Sequence, residues 1–487
     1  MKYHFLYPVL ILASLVNCQA QENSLTVEKP NLIIIQTDEH NFRTLGAYRE
    51  QLSHDQAFVW GAGVEVKTPH IDRLVHEGAI CNNFYASSPV CTPSRASLMS
   101  GLYPIATGSP SNNMPMNDSV ITFAQVLKKE GYATSYLGKW HLDGDAKPGF
   151  APKRKFGFDD NKYMFNRGHW KGLTDDENGN PKLLQKWDPS YEFMKMDVSK
   201  TTNETFTTDY LTNKLLNILE RDKDGPFCAM LSLPDPHTPN TVRAPYDSLY
   251  NHLQFKNPKT MDASLENMPK YLNWRKKVVT ELDQGKMQRY FGMVKCIDDN
   301  VGRILAFLEA NGLEENTIVV FTSDHGDLMG EHKKHNKGSP YETSAKIPFL
   351  IRYPQKIMAN KVINKAFTTV DFAPTILSIM GMPQIPDSHG QNAAQDFLSK
   401  EQKITDDRIT YVTSAGSQWI TAVDNRYKLV LSIKDDPWLF DLQEDPDELI
   451  NFYKEEKYAA VISKMQAELL RQMKLYQDPI AEKKLRF

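Results

Sequence analysis

Residues 31–40, Asn-Leu-Ile-Ile-Ile-Gln-Thr-Asp-Glu-His, join a short apolar run to a group of polar side chains. The run at 32–35 is apolar at every position, which is typical of a strand buried on both faces of a parallel sheet. Three other runs have the same form, at 133–137, 227–233 and 317–322. Reactive residue types follow each of them: 138–141 is Gly-Lys-Trp-His, 234–237 is Pro-Asp-Pro-His and 323–326 is Ser-Asp-His-Gly.

Helical patterns lie between these runs. The clearest has apolar residues at spacings of three and four and ends at Asn311 and Gly312; its apolar positions are Phe291, Val294, Ile297, Val301, Ile304 and Leu308. Strands that alternate with helices predict an α/β fold with a mostly parallel central sheet flanked by helices. Because ligands of such folds lie beyond the carboxyl ends of the strands, the four polar segments predict one shared site.

The length of 487 residues favours a large domain and a smaller one. We place the large domain at 24–390, with long polar loops at 144–208 and 245–277. The remainder, 391–487, is predicted to be a small α+β domain. Its expected elements are strands at 409–413, 419–422 and 427–432 and a closing helix at 459–476.

The composition is that of a globular protein, with 41% hydrophobic and 24% charged residues and a formal net charge of -3. No long basic run is present, which argues against a nucleic-acid partner. Lys2 and an apolar stretch at 5–16 precede Ala20, which predicts a signal peptide over 1–20 and an exported, periplasmic or secreted, protein without stable membrane insertion. The alternative for this segment is a lipid anchor at Cys18.

Residues 89–101, Pro-Val-Cys-Thr-Pro-Ser-Arg-Ala-Ser-Leu-Met-Ser-Gly, predict a helix that begins after Cys91, with Thr92 as its cap and Gly101 as its end. A helix N-terminus favours negative charge, on a thiolate or a bound anion, and Arg95 can reach back to it. The alternative is a capped helix with an idle cysteine. Cys228 and Cys296 lie in apolar patterns and are expected to be buried, inert thiols.

Cys-x-Pro-Ser-Arg followed by a small residue and Ser-Leu-Met-Ser-Gly resembles the signature of type I sulfatases, in the alkaline-phosphatase-like superfamily. The similarity runs from about residue 30 to 453. Its other segments are 138–141, 323–326, 330–332 with Lys337, Tyr341 and Glu342, then 370–375 and 439–446. The resemblance implies that a maturation enzyme oxidises Cys91 to formylglycine, whose hydrated aldehyde attacks sulfur.

The resemblance also implies a metal site. Asp38, Glu39, Asp324 and His325 match the family's metal positions, together with residue 91. Calcium is the family's usual ion, and the residues leave magnesium open, since carboxylate oxygens suit both. Glu39 departs from the more usual Asp, so it is either a direct ligand or a residue that supports the ligands.

By the same resemblance, His237 protonates the leaving alcohol and His141 removes a proton from the hydrated aldehyde. Lys139 and Lys337 bind the sulfate oxygens, and Arg95 holds the hydrated aldehyde. In the long loops, further side chains could grip a sugar and its charged groups; they are Arg167, His169, Trp170 and Arg243.

The sequence therefore predicts a formylglycine-dependent sulfatase that acts on a sulfated carbohydrate or a related organic sulfate. The alternative is a phosphonate monoester hydrolase or phosphodiesterase of the same superfamily, which would share the metal site. A non-catalytic glycan-binding relative is a third reading, disfavoured because each expected catalytic residue type is present.

Overall fold

The computed structural model of the chain describes residues 1–4, 29–184, 198–272, 278–483 and 485–486. Most of the predicted signal peptide, including Cys18 and Ala20, lies outside the described residues. Among the described residues, no helix combines the length and the apolar character needed to cross a membrane.

The described residues form fifteen strands and eleven α-helices. The strands are β1 (Asn31–Asp38), β2 (Ala79–Tyr85), β3 (Ala133–Lys139), β4 (Met164–Phe165), β5 (Leu173–Asp175), β6 (Pro181–Leu183), β7 (Phe227–Pro236), β8 (Thr317–Ser323), β9 (Phe349–Arg352), β10 (Lys361–Thr368), β11 (Lys403–Ile404), β12 (Thr410–Thr413), β13 (Trp419–Val423), β14 (Tyr427–Ser432) and β15 (Trp438–Asp441). The helices are α1 (Gly46–Arg49), α2 (His54–Ala57), α3 (Pro69–His76), α4 (Cys91–Ser100), α5 (Phe123–Lys129), α6 (Thr207–Asp222), α7 (Gln284–Ala310), α8 (Glu342–Ala345), α9 (Phe372–Ile379), α10 (Ala394–Leu398) and α11 (Ala459–Leu475).

A nine-stranded sheet organises the large domain, in the order β11-β10-β2-β9-β8-β1-β7-β3-β4. The strands β8, β1, β7 and β3 are consecutive neighbours and run parallel, and β9 is antiparallel to both of its neighbours. This confirms the predicted α/β class with a mostly parallel central sheet.

The continuous apolar run of β1 is explained by helices on both faces of the sheet. Leu32 and Ile34 pack in a core with residues of α4, α5 and α9, whereas Ile33 and Ile35 pack in a second core with residues of α3, α6 and α7. Successive side chains of a strand point to opposite faces, so a strand covered on both sides is apolar throughout.

The C-terminal region contains a second, antiparallel sheet in the order β12-β13-β14-β15, with α11 packed against it through Met465 and Leu469. The small α+β unit is therefore present. However, β11 pairs with β10 in the large sheet, and α10 contacts α9. We infer that the boundary between the two units lies after Ile404 rather than at residue 390, because backbone pairing ties 403–404 to the large domain.

Candidate active site

The four polar segments predicted to share a site do meet at one edge of the large sheet. In the parallel register, Thr37 lies opposite Ser323, and Asp38 lies opposite Pro236. On the other side of β7, Gly138 lies opposite Ser232. The carboxyl ends of four neighbouring strands thus bring Asp38, Lys139, Asp324 and His237 to one place.

Helix α4 delivers Cys91 to this edge. The helix begins at Cys91 itself, and its N-cap Val90 makes no side-chain capping hydrogen bond. The predicted cap at Thr92 is wrong: the Thr92 hydroxyl donates to the backbone oxygen of His141 instead, which ties the helix to the end of β3. Gly101 ends the helix in the left-handed conformation, φ 72°, as its position predicts.

The Cys91 sulfur is surrounded by charged groups. Its Sγ lies 3.2 Å from His325 Nε2, 3.4 Å from Lys337 Nζ, 3.7 Å from Lys139 Nζ and 3.9 Å from Asp38 Oδ1. Burial alone would raise the pKa of this thiol, but Lys139 and Lys337 lower it well below its usual value. The site is therefore built to hold negative charge at position 91.

The other described cysteines provide a contrast within the same chain. Cys81, Cys228 and Cys296 are buried and free, and burial raises the pKa of each thiol. The expectation of inert thiols at Cys228 and Cys296 is consistent with these surroundings.

Arg95 connects the strand ends from beneath. Its side chain is fully buried, and its Nε donates to Asp324 Oδ2 at 2.8 Å while Nη2 lies 3.2 Å from Asp38 Oδ2. Its Nη1 also donates to the backbone oxygen of Lys139 and to Ser232 Oγ. Arg95 therefore holds the carboxylates of Asp38 and Asp324 in place. It also lies one helical turn after Cys91.

Four buried donor groups could hold a metal ion. The ligand atoms of Asp38, Cys91, Asp324 and His325 all lie within 4.8 Å of one another. The His325 Nδ1 faces the backbone oxygen of Gly326 at 3.0 Å, which places its proton there and leaves Nε2 as the available ligand. Two carboxylates with an oriented imidazole fit a divalent cation, and the sulfur of Cys91 stands for the oxygen that formylglycine would present.

Glu39 lies outside that group of four. Its backbone is left-handed, φ 64°, and its fully buried carboxylate points instead to His237 Nε2 at 2.9 Å and Lys337 Nζ at 3.7 Å. Burial would raise the pKa of Glu39, but His237 and Lys337 lower it to about 2. Of the two roles considered for Glu39, these contacts favour support of the acid–base and sulfate-binding groups.

The two histidines expected to move protons present different nitrogens. His237 Nδ1 lies 2.8 Å from the backbone oxygen of Thr238, which can only accept, so Nε2 is the nitrogen that exchanges a proton. His141 has the left-handed φ of 61°, and its Nε2 lies 3.0 Å from Asn113 Oδ1. Its buried Nδ1 makes no hydrogen bond with a described residue. Burial lowers the pKa of His141 to about 4, which keeps the ring neutral.

A cavity of about 840 Å³ opens above Cys91. Arg167, His169 and Trp170 line it, as their substrate-contact assignment requires. The ring of His169 stacks on His237 with centroids 3.5 Å apart. Arg243 does not line this cavity: its Nε and Nη2 donate to Asp209 at 2.8 Å, and its Nη1 donates to the backbone oxygen of Ala244. The expected substrate contact of Arg243 is therefore corrected.

Sequence reasoning missed several residues of this cavity. Asn113 orients His141, and Asn112 accepts from the backbone N–H of Thr92 at 3.0 Å. Lys286 and Arg289, in the first turns of α7, line the opposite part of the cavity. The Asn112–Asn113 pair carries no periodic signal. Lys286 and Arg289 could have been noticed from the sequence, because positive side chains are unfavourable at a helix N-terminus.

Comparison with known proteins agrees with this geometry. Residues 30–382 match the family model described as Sulfatase, and residues 330–475 match that of the N-sulphoglucosamine sulphohydrolase C-terminal region. The ulvan-active sulfatase of Formosa agariphila is 30% identical over 398 residues, covering 80% of this chain and 70% of that protein. The N-acetylglucosamine-6-O-sulfatase of Bacteroides thetaiotaomicron is 27% identical over 545 residues, covering 96% and 90%.

Solved structures share the fold. A protein in complex with its substrate D-glucosamine-2-N,6-O-disulfate superposes with a TM-score of 0.75 at 24% identity, over 93% of this chain and 99% of that one. The phosphonate monoester hydrolase of Agrobacterium radiobacter superposes with a TM-score of 0.69 at 20% identity, over 92% and 96%. The family match covers well over half of the chain and includes every strand end described above, so the chain belongs to the sulfatase family and is a sulfuric ester hydrolase.

Proposed function

We propose that the chain is an exported sulfatase that hydrolyses a sulfate ester on a carbohydrate, with Cys91 oxidised to formylglycine and a divalent cation, calcium, in the site. The observation that carries the proposal is the position of residue 91. Its side chain lies 3.4 and 3.7 Å from two ammonium groups and lines an open cavity. Formylglycine at this position supplies a hydrated aldehyde, one hydroxyl of which attacks sulfur.

The metal ligands in this proposal are Asp38, Asp324, His325 and the oxygen at position 91. A divalent cation held there would supply positive charge that stabilises the sulfate group and acidifies the attacking hydroxyl. The three side chains are already oriented, since Arg95 holds both carboxylates and Gly326 fixes the imidazole. Calcium follows from the family resemblance, and the oxygen-rich ligand set is compatible with it.

Lys139 and Lys337 bind the sulfate. They approach position 91 from two sides, and Lys139 is anchored by an ion pair with Asp38. A sulfate group seated above residue 91 would place its oxygens against both ammonium groups. Charge that develops on those oxygens in the transition state is then stabilised by groups that need not move.

His237 acts as the acid and His141 as the base. His237 lines the cavity, and its Nε2, which lies 2.9 Å from a carboxylate oxygen of Glu39, can give a proton to the departing alcohol. His141 presents Nδ1 as its lone-pair nitrogen, because Asn113 engages Nε2. It can take a proton from the hydroxyl that remains at position 91, which releases sulfate and regenerates the aldehyde.

The carbohydrate part of the proposal rests on the cavity and on the relatives. Polar and aromatic side chains from the loops after β3, β4 and β7 and from the start of α7 form its walls, which suits a sugar ring with its hydroxyl and anionic groups. The relatives named for ulvan and N-acetylglucosamine 6-sulfate act on sulfated saccharides. Export follows from the predicted signal peptide, and oxidation of Cys91 requires a maturation enzyme in the same cell.

The test is release of inorganic sulfate from a panel of defined sulfated saccharides that differ in the sugar and in the sulfated carbon. The matured protein should release sulfate from at least one of them, and Cys91→Ala should lower that rate by more than about 1,000-fold. Unchanged release by Cys91→Ala would contradict the proposal.

The alternative activity, hydrolysis of a phosphonate monoester or phosphodiester, is separated in the same assay. Each sulfate ester is paired with the corresponding phosphate or phosphonate ester. A higher kcat/KM for the sulfate member supports the sulfatase assignment, and a higher value for the phosphorus member favours the alternative.

A further inference from the structure

The cavity above Cys91 carries more positive charge than one sulfate group requires. Six basic side chains line it against one acidic side chain, that of Asp283; the basic ones are Lys139, Lys147, Arg167, Lys286, Arg289 and Lys337. Lys139 and Lys337 lie at the reacting position. The volume, about 840 Å³, leaves room for a saccharide beyond the sulfate group.

Two of the remaining four basic groups already have partners. Arg167 donates to Asp145 Oδ1 at 2.8 Å. The ammonium group of Lys147 lies over the ring of Trp170, 5.6 Å from its centroid. Contacts within the protein therefore account for the positive charge of Arg167 and of Lys147.

Lys286 and Arg289 have no such explanation. Both are half-buried, both line the cavity, and neither forms a direct ion pair with any residue that the structure describes, although Lys286 acts at longer range on the buried Asp327, where it opposes the rise in pKa that burial causes. Arg289 is nevertheless held in place, because its Nε donates to the backbone oxygen of Asn240 at 2.8 Å. The nearby Asp283 is engaged otherwise, since its carboxylate accepts from the backbone N–H of Lys286 at 2.9 Å as the cap of α7.

The position of these two residues lowers helix stability. They are three residues apart in the first turns of α7, where like charges on one side of a helix repel and the helix N-terminus disfavours cations. Half-buried cations without a directly paired counter-ion also lose hydration. Packing of α7 thus does not account for two basic residues here, whereas an anionic group in the cavity would.

We propose that Lys286 and Arg289 form a second anion-binding subsite, which binds a sulfate or carboxylate group of the substrate other than the sulfate that is hydrolysed. The inference rests on the proposed function and narrows its substrate class to saccharides with at least two anionic groups. Arg289 offers a planar, pre-positioned fork and Lys286 a mobile point charge, a pair that can accept either anion.

The test compares saccharides that share the hydrolysed sulfate and differ in a second anion. The first pair is glucosamine 6-sulfate and glucosamine-2-N,6-O-disulfate, and a third arm links a uronate to the monosulfated sugar. If another positional isomer is the one hydrolysed in the saccharide panel, the same three arms are made on that isomer. Wild-type protein should have its lowest KM for one of the two substrates that carry two anions. A lowest KM for the disulfate indicates a second sulfate in the subsite, and a lowest KM for the uronate-linked sugar indicates a carboxylate.

The variant K286Q/R289Q should raise KM about tenfold for the preferred dianionic substrate and less than about twofold for the monosulfated sugar, with kcat for the dianionic substrate little altered. The wild-type advantage should also shrink as salt is added, because the contact is partly exposed. Arg303→Gln is the matched control: it removes a positive charge from an exposed position of the same helix, outside the cavity lining.

Equal KM values for the monosulfated and dianionic sugars in wild-type protein would overturn the subsite. So would an equal loss on both substrates in K286Q/R289Q, or a loss that Arg303→Gln reproduces. None of these outcomes affects the sulfatase assignment, which is tested separately by release of sulfate from the wider panel and by the comparison with phosphorus esters.

Discussion

At the scale of single residues, the thiols of Cys81 and Cys91 differ although both are buried. Burial raises the pKa of Cys81, and the charge of the nearby Arg408 opposes this shift without reversing it. At Cys91 two ammonium groups within 3.7 Å reverse it. A low thiol pKa marks the position as one that stabilises an anion, whichever group finally occupies it.

The two cysteines lie in one tryptic peptide, residues 74–95, which provides an internal control. After natural maturation and alkylation of the denatured protein, we expect mass spectrometry to find an alkylated thiol at Cys81 and an aldehyde at position 91. A peptide from active protein that is alkylated at both positions would contradict the formylglycine proposal. Loss of both thiols would indicate unselective oxidation.

Asn113 is expected to position His141 rather than to contact substrate. Asn113→Ala removes the acceptor of His141 Nε2, so the ring can turn and kcat should fall about 10- to 100-fold with a small change in KM. Asn113→Asp retains the acceptor and adds a negative charge, which raises the pKa of His141. Its kcat should therefore stay closer to wild type at high pH, while the acidic limb of the kcat–pH profile moves to higher pH. Wild-type kcat in Asn113→Ala would exclude this positioning role.

At the scale of elements, the edge of the sheet depends on how closely β3 approaches β7. Gly138 has a φ of 96°, and a Cβ at this position would lie 1.9 Å from the backbone oxygen of Ser232. Ser232 Oγ in turn donates to the backbone oxygen of Lys139 and accepts from Arg95. A side chain at 138 would thus move the catalytic lysine and the arginine together.

Gly138→Ala should destabilise the protein by more than about 3 kcal/mol and abolish sulfate release. Gly131→Ala is the matched control, because Gly131 has a similar φ of 85° but nothing lies within 4 Å of its Cβ position. Gly131→Ala should lower the free energy of unfolding only through backbone strain, by about 1 kcal/mol. Thermal melting and activity measured on both variants check the difference; equal losses would mean that strain, not the contact with Ser232, decides the effect.

The elements predicted correctly are those whose surroundings leave a periodic trace. β1, β3, β7 and β8 are covered on both faces and therefore contain mostly apolar runs, and α7 has a regular apolar stripe. β2 was missed, because Asn82 and Asn83 interrupt its apolar pattern: their amides donate to the side-chain and backbone oxygens of Asn364. Asn113 lines the site through tertiary contacts that no local pattern encodes, and Lys286 and Arg289 left only the weak local signal of positive charge at a helix N-terminus.

At the scale of the whole molecule, a buried charge cluster joins the C-terminal sheet to the large domain. Lys428 of β14 donates to Glu448 Oε1 at 2.8 Å and pairs with Glu342 Oε1 of α8 at 2.6 Å. Glu448 Oε2 also accepts from the backbone N–H of Glu342. Burial raises the pKa of Glu448 to about 7, with Lys428 opposing the shift and Glu342 adding to it.

This cluster predicts a pH-dependent stability. Because the pKa of Glu448 in the folded protein is above its ordinary value of 4.5, the unfolded chain binds fewer protons between pH 4.5 and 7. The associated stability is fully present below pH 4.5 and is lost as pH rises through about 7, by on the order of 3 kcal/mol.

Glu448→Gln cannot ionise, so its stability relative to wild type should rise between pH 5 and pH 8. The variant loses a hydrogen-bond acceptor at every pH, so the change with pH, and not the absolute value, carries the test. Melting temperatures of wild type, Glu448→Gln and the exposed control Glu444→Gln, measured at both pH values, check it. A constant difference between Glu448→Gln and wild type would exclude ionisation of Glu448 as the cause.

The burial of α4 also has a consequence for the order of events during biosynthesis. All ten of its residues are buried, and Cys91 is 2% exposed. If position 91 is oxidised, as we propose, the modifying enzyme must reach it before the chain closes around the helix. Folding and modification then compete in time, and a molecule that folds first keeps its thiol. The active fraction of a preparation would then equal the fraction of molecules that were modified before they folded. Unfolding a thiol-bearing molecule in the presence of the modifying enzyme would allow position 91 to be oxidised.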